Sequence, residues 1–179
     1  HIDDINETIA AVKLALKSDG LFAIEVHDGK VLTEEAQFDT VYHEHLTYFT
    51  EATLRFLVEP QGFEFVECPT TPMHGGGLRF VCRYKPNHQI EPLQTEIDLI
   101  DGKRFVATIE RCRDEILNLK EQYGEVHGYG AAGRAQMFIN MTGTGSCFSK
   151  VFDDSPFRQD RYIIATDIPI LGYEEEKGG

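Results

Sequence analysis

The sequence of residues 126–140, VHGYGAAGRAQMFIN, decides the fold prediction. Residues 125–129 are interpreted as a strand, residues 130–133 as a turn and residues 135–141 as a helix. The turn between them has glycines in the spacing G-x-G-x-x-G, which lets backbone N–H groups approach a diphosphate at the helix N-terminus. The pattern predicts a nucleotide-binding turn, although a tight strand–helix turn without a ligand gives the same spacing. The candidate binding residues in this turn are Gly128, Tyr129, Gly130, Ala131 and Gly133.

Polar residues around this turn extend the candidate site. Asp153 and Asp154 follow about 20 residues later, where a ribose-binding carboxylate falls in dinucleotide folds. Arg134 directly follows the last glycine, where a guanidinium can donate two parallel hydrogen bonds to a phosphate. Arg158 and Gln159 could bond a base or ribose, and each of these side chains alone is also typical of an ordinary surface. Too little chain follows Asp154 for a six-stranded dinucleotide domain, so we expect a ligand smaller than NAD, such as a nucleoside diphosphate.

A second cluster lies in residues 38–50, FDTVYHEHLTYFT. Histidines two residues apart point to opposite faces of a strand, or lie about 200° apart on a helix. We therefore expect different roles for His43 and His45, one in a pocket and one in supporting structure. A surface loop with two histidines is the alternative, and a metal site would need strand geometry and further ligands. The candidate catalytic residues here are Tyr42, His43, Glu44 and His45.

The glycine-rich stretch MHGGG places His74 before an expected strand that contains Arg79. Together they could line one cleft with His45. An exposed histidine in a hairpin loop is the alternative.

The remaining pattern predicts an α/β protein of alternating helices and strands. A helix, a glycine and an apolar run at the start are interpreted as one unit of a doubly wound sheet. Thr50 is expected to cap a helix whose apolar face contains Leu54, Phe56 and Leu57, and two later strands are expected to form an antiparallel hairpin. An apolar stripe from Phe105 to Leu119 is interpreted as a core face. The expected helices are residues 3–17, 50–61, 93–100 and 105–119, and the further strands are 21–26, 63–68, 78–84, 150–153, 162–164 and 168–171.

Composition excludes several classes of partner. The 179 residues carry a formal net charge of −13 and have a pI of about 4.9. Nucleic acids and anionic membrane surfaces need a basic face, so neither is expected. The chain has no apolar run of about 18 residues and no recognisable signal segment. Four widely spaced cysteines without a C-x-x-C pair indicate free thiols in a reducing cytoplasm.

The segments FDTVYHEHLTYFT, MHGGGLRF, VHGYGAAGRAQMFIN and VFDDSPFRQDRYIIATDIPI occur in an order that resembles the sugar C-methyltransferases. The resemblance implies methylation of a carbon of a nucleotide-linked 4-keto-deoxysugar, with S-adenosylmethionine as cofactor. It also implies a longer protein with a zinc-binding module and a glycine-rich cofactor turn, both of which are missing from this sequence. We therefore expect the second half of a methyltransferase domain at residues 1–85, linker and helices at 86–122, and an incomplete Rossmann-like nucleotide-sugar domain at 123–179.

The resemblance also assigns roles. His45 matches the family's base, and the residues beside it are Tyr42 and Glu44. The nucleotide, by resemblance thymidine-linked, would contact the glycine turn and the segment from Asp154 to Gln159. By chemistry, His45 would remove the proton next to the ketone, while Tyr42, His43 or His74 would donate to the enolate oxygen. Three positions depart from the family pattern: Gly77 replaces a serine, Asp160 replaces a glycine, and Ala165 replaces a glycine.

Two other hypotheses stay open at this point. A nicotinamide-dependent oxidoreductase or regulatory module would use the glycine turn and an aspartate, but it leaves the histidine cluster without a role. A non-catalytic interaction domain explains neither cluster. We expect this chain to be inactive by itself, and a divided sheet with an unpaired edge favours self-association into a homo-oligomer.

Overall fold

A computed structural model describes residues 1–87 and 102–173 of the chain. The fold is mixed α/β, with two sheets and flanking helices, which confirms the predicted class. The chain divides into two compact units. The described residues of the first unit are 1–35 and 43–87, and those of the second are Ala36–Tyr42 and 102–173.

The first unit opens with helix α1, Ile5–Ala15. The Asp4 carboxylate caps it by accepting a hydrogen bond from the Glu7 backbone N–H at 2.9 Å. Ile9 is buried on its inner face. The predicted helix is thus confirmed, with narrower bounds because its capping residue lies at position 4 and its last turn ends before Leu16.

The first sheet contains β1 (Leu21–His27), β2 (Phe63–Glu67), β3 (Thr70–Thr71) and β4 (Gly77–Tyr84). Its order is β1-β4-β2, with β3 also paired to β4, and all these pairings are antiparallel. The predicted hairpin is therefore confirmed. The start of the chain was interpreted as a doubly wound unit, yet β1 pairs antiparallel with β4, because an apolar run identifies a buried strand without specifying its neighbour.

Two helices connect β1 to β2. Helix α2, Gly29–Glu34, was not predicted, since its six residues are too few to show a helical period. Helix α3, Glu51–Val58, begins at the predicted cap. The Thr53 backbone N–H donates to Thr50 Oγ1 at 3.3 Å, and the Thr50 N–H donates to Thr53 Oγ1 at 2.8 Å.

The buried face of α3 differs from the predicted one. Leu54 and Val58, four residues apart, are buried, whereas Phe56 is 74% exposed. Including Phe56 in the apolar face was wrong, because a residue two positions from Leu54 lies about 200° around the helix. The core of the first unit is formed by Ile9, Leu54, Val58, Phe63, Leu78, Phe80 and Cys82.

The second unit is built on β5 (Val126–Tyr129), β6 (Phe148–Phe152), β7 (Arg161–Tyr162) and β8 (Pro169–Leu171). Its sheet order is β5-β6-β8-β7. The first three strands in this order are parallel, and β7 is antiparallel to β8. All four strands were predicted, with end positions that differ by one or more residues. The buried core contains Ala131, Ile139, Val151, Ile163, Ile168 and Ile170.

Helices α4, Gly102–Tyr123, and α5, Gly133–Thr142, accompany this sheet. The apolar stripe of α4 was predicted to be a core face, but no residue of α4 is buried and Leu119 is 41% exposed. Arg113 was placed on the solvated face, yet its Nε donates to the Thr142 carbonyl at 2.6 Å at the end of α5. The helix predicted at residues 93–100 lies outside the described residues. In the described ranges 1–87 and 102–173, no helix is long and apolar enough to cross a membrane.

Candidate functional site

The glycine turn lies at the carboxyl end of β5. Gly130 has a φ of +91°, and its N–H donates to the Phe152 carbonyl of the neighbouring strand at 2.6 Å. A Cβ added at Gly130 would meet no atom within 4 Å, so the space beside it is open. Gly128 has a different role, since a Cβ there would lie 2.9 Å from Val151 Cγ2. Of these two glycines, Gly130 gives the turn its shape and access, and Gly128 allows the strands to pack.

The first turn of α5 has backbone N–H groups that find no acceptor within the helix. Ala132 is the N-cap and supplies no side-chain cap. The Gln136 N–H donates to the Ala132 carbonyl at 3.2 Å, so the four preceding backbone N–H groups have no partner within the helix. Such groups, together with the helix dipole, favour an anion at this end. The local geometry therefore suits the predicted diphosphate turn.

A buried carboxylate supports the turn. Asp153 is 4% exposed and follows β6. Its Oδ2 accepts from the Ala131 N–H at 2.7 Å, and its Oδ1 accepts from the Ser155 N–H at 2.8 Å. Arg158 Nη1 donates to Oδ1 at 3.3 Å. Asp153, considered from the sequence as a ribose ligand, is thus occupied by the protein's own backbone and by Arg158.

These contacts set the charge state of Asp153. Burial by itself would raise its pKa, but the hydrogen bonds from Ala131 and Ser155 and the guanidinium of Arg158 outweigh burial, so the pKa lies below its usual value. The carboxylate is therefore ionised near neutral pH. It acts as a fixed acceptor under the turn.

Asp154 and Gln159 are also tied to this loop. The Tyr129 hydroxyl donates to Asp154 Oδ2 at 2.6 Å, and this hydrogen bond is the main reason that the pKa of Tyr129 is raised. Gln159 Nε2 donates to the Asp153 carbonyl at 2.8 Å. The structure therefore brings together Tyr129, the two aspartates and Gln159 beside the turn. Their contacts with a base or ribose stay a prediction.

Arg134 has a partner that the sequence did not indicate. Its Nε and Nη2 donate to the two carboxylate oxygens of Asp39 at 2.7 and 3.1 Å. Tyr42 is close by, because a Cβ added at Gly133 would lie 3.9 Å from the phenol oxygen. Asp39 was missed because a single acidic residue in a mixed sequence carries no motif signal. The predicted phosphate contact of Arg134 stays a prediction.

Residues 43–48 form neither a strand nor a helix, so neither of the two regular geometries considered for the histidine pair applies. Residues 43 and 44 form a turn, and residues 45–48 have no regular structure. His43 is exposed, whereas His45 is half-buried and its ring contacts Tyr48 edge-on, with centroids 6.2 Å apart. The His45 ring also lies 4.9 Å from that of His1. The two histidines differ in environment, and their roles stay a prediction.

The other candidate residues of the first unit are placed as follows. Glu44 is exposed, with Oε2 3.8 Å from His1 Nδ1. Arg79 lies opposite Glu25 in the register of β1 and β4, and its Nη2 is 2.8 Å from Glu25 Oε2. The side chain of His74 lies outside the described part of the chain. Whether Arg79 and His74 share a cleft with His45 therefore stays a prediction.

The last residues to place are the cysteines and the possible metal ligands. Cys68, Cys82, Cys112 and Cys147 are free. Within residues 1–87 and 102–173, no three or more histidine, cysteine or acidic side chains come together in a way that could hold a metal ion.

The two sheets and their helices define an α/β methyltransferase-type fold, and comparison with known proteins identifies the family. Residues 72–177, more than half of the chain, match the family described as the C-methyltransferase C-terminal domain. The chain is 29% identical over 194 residues to C-methyltransferase NovU of Streptomyces niveus. That alignment covers 99% of this chain and 46% of NovU, so the chain spans about half the length of this curated relative. The chain belongs to the C-methyltransferase family.

Proposed function

We propose that the protein transfers a methyl group to the carbon next to the ketone of a nucleotide-linked deoxysugar in the cytoplasm. The observation that carries the proposal is the open turn at Gly130, followed by the N-terminus of α5, within the residues that match the C-methyltransferase family. A diphosphate is the ligand class that such a turn favours. The sugar, the thymidine link and the cofactor belong to this proposal.

The nucleotide part of the substrate would occupy the second unit. Its diphosphate would accept hydrogen bonds from the backbone of the turn, next to Arg134. The base and ribose would lie toward Asp154, Arg158 and Gln159. Asp153 would not contact the ligand, since its oxygens already accept from Ala131 and Ser155. Its task would be to hold the turn in shape.

The chemical step would begin at His45. A neutral imidazole can take a proton from the carbon next to the ketone, and donors at the ketone oxygen stabilise the enolate. Tyr42, His43 and His74 are the candidate donors. When bound, S-adenosylmethionine would supply the methyl group, with the electron pair of the broken C–S bond staying on sulfur. The glycine-rich turn that the family resemblance implies for this cofactor is not among the described residues.

The test is calorimetric titration of this chain with thymidine diphosphate and, separately, with NADH. We expect saturable binding of the diphosphate alone. Binding of NADH alone would instead support the dinucleotide hypothesis. Failure of both ligands to bind would contradict a diphosphate site contained within this chain.

A variant at Ala132 tests whether the ligand binds at the N-terminus of α5. Ala132→Asp puts a carboxylate at the N-cap of α5, where aspartate is a favoured capping residue, so we expect the fold to tolerate it. The new charge would compete with the diphosphate for the same N–H groups and weaken binding about tenfold or more. Ala10→Asp, at an exposed position of α1, is the matched control with the same change in net charge. Equal affinity of Ala132→Asp and the wild type would move the ligand away from this turn.

A further inference from the structure

The segment Ala36–Tyr42 belongs to the second unit, although the residues on both sides of it belong to the first. It contains a short 3-10 helix, Phe38–Thr40. Phe38 is 4% exposed and stacks on Phe138 of α5, with ring centroids 5.9 Å apart and an angle of 27° between the planes. This hydrophobic contact joins the segment to the middle of α5.

Two further contacts join the same segment to the first turn of α5. Asp39 receives the forked hydrogen bonds of Arg134, and Tyr42 lies beside Gly133. The Asp39 side chain is 22% exposed and that of Arg134 is 43% exposed, so the ion pair is partly shielded from water. A forked, charge-assisted pair fixes orientation as well as distance. Asp39 therefore fixes the orientation of the segment on α5, in addition to the contact made by the stacked rings.

The contact between this segment and α5 lies close in the chain to the candidate base. Tyr42 is the last residue of the segment in the second unit, and the residue after it, His43, belongs to the first unit. The candidate base His45 thus follows three residues after a point that is attached to α5. Fixing a chain close to a reactive group reduces the conformations that the group must give up to react.

We propose that Asp39 is a positioning residue for methyl transfer, because through Arg134 it attaches the chain to α5 at the point where the segment His43–His45 begins. The proposal rests on the proposed function, in which His45 is the base and the first turn of α5 receives the diphosphate. Asp39 itself does not touch the substrate. Its effect is transmitted through Arg134 and through the course of the chain.

Hydrogen exchange of this chain tests the structural part of the proposal. Asp39→Asn keeps the size of the side chain but removes its charge and one acceptor. We expect exchange of the amides in residues 36–42 to accelerate about tenfold, as for the loss of a contact of about 1.4 kcal/mol, while β1 and β4 keep their protection. Arg134→Lys keeps the positive charge but loses the fork, so we expect the same acceleration.

A matched control separates this pair from ion pairs in general. Lys85 Nζ and Glu64 Oε2 form a pair of 2.7 Å in the first unit with comparable exposure, 41% and 34%. Glu64→Gln should leave exchange in residues 36–42 unchanged. In a double-mutant cycle, Asp39→Asn combined with Arg134→Gln should accelerate exchange no more than either change alone. Additive effects, or unchanged exchange in Asp39→Asn, would overturn the proposal.

Steady-state kinetics of the whole protein that the gene encodes test the functional part. For Asp39→Asn we expect kcat to fall about tenfold and KM for the nucleotide sugar to change less than about threefold, because the base is misplaced and binding is largely kept. An active enzyme whose kcat is unchanged in Asp39→Asn would overturn the role of Asp39 alone. A wild-type protein without methyl transfer would contradict the proposed function, while the exchange experiment would still decide whether Asp39 fixes the segment.

Discussion

The buried carboxylate of Asp153 accepts a hydrogen bond from the backbone N–H of Ala131 at 2.7 Å. This bond joins the loop after β6 to the turn after β5, across two neighbouring parallel strands. One of the two aspartates that the sequence offers as a ribose ligand is therefore a support for the turn. Its charge is held in place by two backbone N–H groups and one guanidinium.

Replacing Asp153 should destabilise the protein. Asp153→Asn would turn an NH₂ group toward one of the two backbone donors, which we expect to cost about 1–3 kcal/mol in the free energy of unfolding. Urea denaturation followed by circular dichroism measures this loss. Asp154→Asn is the control, since Asp154 is exposed and its change should cost less than about 0.5 kcal/mol. Equal stability of the two variants would contradict the supporting role of Asp153.

The same carboxylate should make stability depend on acid pH. Because the pKa of Asp153 is lower in the folded chain than its unfolded value of about 3.9, its contribution is fully present above that value. The contribution is lost as pH falls through the folded pKa. Between about pH 4 and pH 2, the wild type should therefore lose more stability than Asp153→Asn, and parallel pH curves for the two proteins would refute this.

Removing the candidate base should abolish most of the activity. In the whole encoded protein, His45→Ala should lower the rate of methyl transfer by about 10²–10⁴, the usual contribution of a positioned base. Thr47→Ala, an exposed position in the same segment, is the control for disturbance of the chain. A transfer assay with labelled methyl groups measures both variants. A near-wild-type rate for His45→Ala would remove His45 from this role.

The thiols should differ in reactivity. Burial, with smaller effects from Glu51 and Asp28, raises the pKa of Cys68 to about 11, and burial raises that of Cys82 to about 12. At pH 8 a pKa of 11 lowers the thiolate fraction about a hundredfold, and the greater nucleophilicity of such a thiolate recovers only part of this loss. Cys68 should therefore react about tenfold more slowly than an ordinary thiol with an aromatic disulfide reagent.

The matched comparison for this prediction is Cys112, which is half-buried on α4. Cys112→Ser should remove the fast phase of the reaction in the folded chain. In urea all four thiols should react at similar rates. Loss of the fast phase in Cys68→Ser instead would show that burial does not control this thiol.

Gly77 is one of the three positions that depart from the pattern implied by the family resemblance, and the structure shows a steric effect of a side chain there. A Cβ added there would lie 2.7 Å from Thr71 Oγ1, on the paired residue of β3. Gly77→Ser should therefore destabilise the hairpin by about 1–3 kcal/mol, as expected for overpacking. Thr71→Ala removes the clashing oxygen, so Gly77→Ser should cost clearly less in that background. Thermal unfolding of the four proteins gives the cycle, and an equal cost in both backgrounds would exclude the clash.

Local sequence patterns predicted most of the elements. The Thr50 cap, the hairpin of β2 and β4, and the succession of strand, glycine turn and helix at residues 126–142 all depend on neighbours within a few positions. Errors arose where a distant contact decided the outcome. The stripe on α4 is only partly covered, because periodicity marks an apolar face without showing how much of the chain packs on it. The error at Phe56, by contrast, was local, since a residue two positions from Leu54 lies about 200° around α3.

In the candidate site, too, some features follow from local sequence and others depend on distant contacts. The glycine spacing by itself predicted that a tight turn follows β5, where Gly130 adopts a positive φ that other residues avoid. The sequence also determined the family, through the order of its motifs. Only the tertiary structure decided that Asp153 supports the turn from below and that Asp39 holds Arg134. Asp39 and Arg134 lie 95 positions apart in the chain, and only folding brings their charges to 2.7 Å, because local spacing carries no information about such a contact.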